Sequence, residues 1–198
     1  MALSQQCQYL GFARPLWAQV AIQATVLGAG VWLAPQLSVA FSINKFTNQV
    51  VTVYAFEAAH SVGRPHFEYP DLRPTAESIA MHAPLAATNA LTRPWLGESW
   101  QPQYVAASVE NLAVLALLAI AVWAVVSRRA GCLPFSLVFG LVVFCFILTI
   151  LIGLTTPNLG SLNRYRCAMM PYLLLLLLQN DYAASILRRL RLDRNKAV

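Results

Sequence analysis

The stretch LPFSLVFGLVVFCFILTILIGL, residues 133–154, decides the fold. It sits inside an interval of 34 residues without a charge, between Arg129 and Arg164. A helix needs about 20 mostly apolar residues to cross the hydrocarbon core of a bilayer, and this segment meets that length. Working outward, the preceding interval between Glu110 and Arg128 holds 17 uncharged residues, including LAVLALLAIAVWAVV. It spans if its helix starts near Tyr104 and carries Glu110 inside. Between Arg14 and Lys45 lie 30 uncharged residues, including LWAQVAIQATVLGAGVWLAP. After Arg166, 14 uncharged residues including MMPYLLLLLL reach Asp181. The predicted fold is therefore all-α and polytopic. Four transmembrane helices are expected at 15–38, 104–127, 133–154 and 168–188, the last running on through Gln179, Asn180 and Asp181. The whole chain, 1–198, reads as a single membrane domain.

Composition agrees. Of the 198 residues, 58% are hydrophobic and 11% charged, against about 25% charged in soluble domains. That excludes a disordered chain or a nucleic-acid arm, and no nucleic-acid partner is expected. The net charge of +6 matters less than where the charges fall. Arg14, Arg128, Arg129 and the tail RRLRLDRNK (188–196) share one face if the spans are even in number. The positive-inside tendency makes that face cytoplasmic, with both termini inside, 189–198 as a basic tail, and a long loop, 39–103, outside. Helix one reads as a retained anchor rather than a cleaved signal.

The long loop is not a polar linker. FTNQVVTVYAFEAAHSV (46–62) has apolar residues near helical spacing. PHFEYPDLRP (65–74), with its three prolines, is expected to be extended or turned. Thr75 with Glu77 marks the start of another helix, which Pro84 would kink or end. Two short amphipathic helices are expected, lying on the outer leaflet or against the bundle. Cys7, Cys132, Cys145 and Cys167 show no CxxC pattern, and His60, His66 and His82 are scattered, so neither metal nor cofactor is expected.

Three places carry chemistry. Glu110, with Asn111, is an ionisable group within a span; it should face the bundle and pair with a cation. TTPNLGSLNRYR (155–166) is a tight outer turn carrying Asn158, Arg164, Tyr165 and Arg166. Its arginines offer planar forks suited to phosphate or carboxylate oxygens, or they pair with Glu110 or lipid headgroups and fix the fold. Arg93 stands beside Trp95, a candidate cation–π pair or an interfacial anchor.

PNLGSLNRYR (157–166), followed by Pro171 and a leucine-rich helix, resembles the last outer loop and span of bacterial multi-pass proteins of surface-polysaccharide biosynthesis. These include large membrane glycosyltransferases and O-antigen polymerase-like proteins. HAPLAATNALTRPWLGES and VENLAVLAL resemble the segment that precedes it, so the likeness covers about residues 80–180. It implies that Arg164, Arg166 and Arg93 lie near a polyprenyl-phosphate carrier or its sugar, in the bacterial inner membrane. Such proteins have about ten spans and an acidic motif in the first outer loop. Here Tyr69-Pro70-Asp71 is a weak substitute, and the chain corresponds to their C-terminal half. If catalytic, it would be a fragment or subunit of a glycosyltransferase. A non-enzymatic subunit of a larger membrane complex or oligomer, and a small transporter, remain as alternatives.

Overall fold

The computed structural model describes residues 16–38, 42–129, 131, 133–183 and 185. Arg14, Cys7, Cys132 and the basic tail from Arg188 lie outside them. The described residues are helical with no strand, in seven named helices: α1 (Leu16–Leu37), α2 (Ile43–Ala59), α3 (Ala76–Thr92), α4 (Pro102–Val126), α5 (Phe135–Thr155), α6 (Leu159–Arg166) and α7 (Met170–Leu178). Three of these, α1, α4 and α5, are long and apolar enough to cross a membrane.

The fourth expected span is different. Its helix stops at Leu178 after nine residues, about 14 Å at 1.5 Å per residue, so α7 alone is shorter than a spanning helix, although the segment runs back to the α4–α5 connection, where the Asp181 amide donates to the Arg129 carbonyl. The polar pair Gln179–Asn180 interrupts it. The Asn180 side chain donates to the Leu177 carbonyl at 2.6 Å and accepts from the Ala183 amide at 2.9 Å, so it closes one turn and opens the next. The leucine run masks this break, because apolar length alone says nothing of where a side chain caps the backbone.

Two cores organise the packing. The first joins Val50 of α2, Ala86 and Ala90 of α3, Leu154 of α5, and Leu159 and Leu162 of α6, with Phe67, Tyr69 and Tyr104. The second lies between α4, α5 and α7, around Val114, Cys145, Met169, Leu173 and Leu177. The closest crossing is that of α3 on α5, where a Cβ at Gly153 would overlap the Ala86 carbonyl. Only a glycine allows the two backbones this approach. Helices α2 and α3 thus pack against α5. Thr75 caps α3 by accepting from the Ser78 amide at 3.2 Å. The helix continues through Pro84 to Thr92 rather than ending there, held by Ala86, Ala87 and Ala90, all buried.

By contrast α1 buries almost nothing: no residue of its apolar window is buried. It touches α5, where Gln23 donates to the Ser136 carbonyl. Trp17, Val31, Trp32 and Leu37 are all well exposed. A helix that is apolar all round and unburied is one that lipid or another apolar surface covers.

Candidate functional site

The turn after α5 is built by backbone pairing with the proline-rich segment. Phe67 donates to the Pro157 carbonyl at 3.1 Å and Leu159 to the Pro65 carbonyl at 3.2 Å, a single antiparallel bridge between His66 and Asn158. Asn158, buried, caps α6 by accepting from the Gly160 and Ser161 amides at 2.8 and 3.4 Å. The pairing sets the turn after α2 beside the start of α6. That turn needs Gly63, whose φ of +77° an L side chain rarely adopts.

The result is a polar cavity of about 530 Å³, lined by Arg64, Gln103, Tyr104, Asn158, Ser161 and Arg164 among others. Both guanidiniums are on exposed residues. Among the described residues, neither has a carboxylate within 4.0 Å; Arg164 stands over the Tyr165 ring, 5.7 Å from its centroid. The cavity therefore holds two cations with no ion-pair partner among the described residues, together with hydroxyl and amide groups, a donor set matched to an anion bearing several oxygens.

Arg166 is elsewhere. Residues two apart on a helix point to different faces, so the two arginines of the expected pair diverge. Arg166 is 1% exposed. Its NH1 donates to the Arg93 carbonyl at 2.9 Å and its NH2 to Asn111 Oδ1 at 2.6 Å, while Nε has no partner among the described residues. Asn111 in turn donates to the Thr92 carbonyl at 2.6 Å. Burial pulls the Arg166 guanidinium below its usual pKa, and the fields of Glu110 and Cys167 oppose that shift. This is a strut: a buried cation held by neutral oxygens that ties α6 to α4 and to the end of α3.

Glu110 does not face the bundle. It is exposed on α4, and among the described residues it makes no ion pair within 4.0 Å. One residue is 100° of helix, and it is Asn111 that turns inward. Arg93 also differs from expectation. Its aromatic neighbour is Phe67, 5.6 Å from the guanidinium to the ring centroid, not Trp95, and Glu98 pairs with it at 3.4 Å. Tyr165 is exposed at the rim.

Tertiary packing gives roles to three further residues. Arg64 is brought to Arg164 by tertiary pairing alone. Asn111 was visible as Glu110's neighbour, but not its inward phase. The third is Tyr69, whose hydroxyl donates to the Gly153 carbonyl at 3.0 Å and accepts from Asn89 at 3.4 Å. Burial, the largest influence, raises the Tyr69 phenol to about 12. No group of three or more His, Cys, Asp or Glu able to hold a metal occurs among the described residues. No known protein family, no curated protein and no solved structure matches the chain.

Proposed function

We propose that this is an integral inner-membrane protein of bacterial surface-polysaccharide synthesis that holds the phosphate-bearing head of a lipid-linked sugar in the Arg64–Arg164 cavity. One observation carries it: two arginines with no carboxylate partner among the described residues line a polar cavity at one end of helices long and apolar enough to cross a membrane. A polyprenyl phosphate presents charge at the membrane surface and sugar hydroxyls beyond, and the amides of Gln101 and Gln103 with the Tyr104 hydroxyl suit the latter. Helix α4 runs from this cavity to the Arg128–Arg129 turn over 25 residues, about 37 Å at 1.5 Å per residue. With the Arg128–Arg129 turn on the cytoplasmic side, the cavity opens on the far side. Arg166, Arg93 and Asn158 then act as framework, and Arg164 and Arg64 as ligand contacts.

The test is binding of a polyprenyl phosphate, and of free pyrophosphate, to the purified chain in detergent. Arg64→Gln with Arg164→Gln should abolish both while leaving the melting temperature unchanged. Equal binding by that double variant would remove the basis of the proposal. Side-specific labelling of single cysteines at 164 and 128 should place them on opposite sides.

The exposed apolar surface of α1 favours a second reading, a non-enzymatic subunit whose α1 packs on a larger membrane partner. It requires that the chain co-purify with that partner and that substitutions at Val26 or Val31, not at the arginines, break the association.

A further inference from the structure

The other end of the bundle carries a second amphiphilic site. Between α4 and α5 runs an apolar groove of about 360 Å³, backed by α7. Leu173 and Leu177 of α7 form its buried floor, and Val122, Val125, Val138 and Val142 stand along it. It has no charged lining residue. Its one hydroxyl, on Thr149, is already spent on the Cys145 carbonyl at 2.7 Å, with Met169 Sδ at 3.0 Å. Its lining of hydrocarbon side chains suits an acyl chain. An empty groove would forfeit dispersion contacts along its whole lining.

Its mouth supplies the other half. Gln179 lines the end of the groove where α4 and α5 connect, and a Cβ at Gly131 would strike the Gln179 carbonyl. Arg128 and Arg129 follow Val125 by three and four residues and are exposed. Neither has a carboxylate within 4.0 Å among the described residues. Arg129 is oriented by the Tyr182 ring, 5.3 Å from its centroid, and its carbonyl accepts from the Asp181 amide at 3.3 Å. Two arginines with no carboxylate partner among the described residues thus stand near the end of a groove lined almost wholly by hydrocarbon.

We propose that this is a binding site for one anionic phospholipid, its acyl chain in the α4–α5 groove and its phosphate at Arg128 and Arg129. Basic residues at a membrane surface attract anionic headgroups, and basic pockets between spanning helices select them. The site lies at the opposite end of α4 from the Arg64–Arg164 cavity and stands or falls independently of it.

The full chain in neutral detergent is titrated with phosphatidylglycerol, with phosphatidylcholine of the same chains, and with inorganic phosphate. Binding is read by native mass spectrometry and by the rise in melting temperature. Phosphatidylglycerol should bind one per chain, more tightly than phosphatidylcholine, and phosphate alone should not register. Arg128→Gln and Arg129→Gln should each weaken phosphatidylglycerol about fivefold, and about twenty-five-fold together. Val142→Trp, at the exposed rim, should block the chain and abolish binding with both arginines intact. Val142→Leu, a smaller change, should weaken binding at unchanged melting temperature and covers the case in which the tryptophan variant does not fold. Equal affinity for the two lipids, retention of lipid by the groove-filled variants, or closure of the groove by a second copy of the chain would each overturn the assignment.

Discussion

Replacing Gly153 by alanine should loosen the whole upper half of the protein. The added Cβ would lie inside the Ala86 carbonyl, a backbone atom that cannot rotate away, so α3 and α5 must move apart. Overpacking of this kind costs about 1–3 kcal/mol. The separation also strains the Tyr69 hydrogen bond to the Gly153 carbonyl, 3.0 Å in the native packing, worth about 1 kcal/mol. The total is about 2–4 kcal/mol, or roughly 4–16 °C in melting temperature for a chain of this size. Two other helical glycines serve as controls. A Cβ at Gly140 meets only the end of the Gln23 side chain at 3.8 Å, and one at Gly28 meets nothing within 4 Å. Alanine there should be neutral or gain up to about 1 kcal/mol from helix propensity. The assay is thermal unfolding of the three variants in one detergent, followed by tryptophan fluorescence. If Gly153→Ala melts with the Gly140 and Gly28 variants, the close crossing of α3 on α5 is refuted.

Arg166→Met should destabilise by about 1–3 kcal/mol, since it orphans the Arg93 carbonyl and Asn111 Oδ1 while removing a buried cation; Arg164→Gln should stay within about 0.5 kcal/mol, and reversal of that order in thermal melts would assign the strut wrongly. Asn158→Ala should cost about 1 kcal/mol through the lost cap on α6, measurable in the same melts. Tyr69, raised from 10.0 to about 12 by burial, favours the folded state when neutral. Its contribution should be whole below pH 10 and disappear as pH rises through 12, and Tyr69→Phe should flatten that alkaline limb of the melting curve.

Gaps between charges located α1, α4 and α5, because spanning length is a property that composition alone reveals. Rotational phase is another matter. Around Glu110, α4 is apolar on nearly every side, so nothing in its pattern says that Asn111 rather than Glu110 turns inward. The break at Asn180 was hidden for a related reason: it depends on one side chain bonding to its own backbone, within a run that otherwise reads as continuous. Arg164 was visible as an arginine just before an apolar helix, expected on the translocated face. Its partner Arg64 was not, since the two meet through the pairing of residues 65–67 with 157–159, a contact with no local signature.

Synthesis runs from the N-terminus, and here order in time conflicts with order in space. Tyr69 bonds a carbonyl 84 residues later, and the Arg93 carbonyl waits for Arg166, 73 residues later. Helices α2 and α3 therefore emerge with no seat to occupy until α5 and α6 have been made. For that interval Val50 of α2 and the alanine face of α3 stay uncovered, and non-local closure of this kind is slow. A ribosome stalled anywhere between Thr92 and Gly153 would leave a half-assembled chain, which gives quality-control proteases their best opportunity.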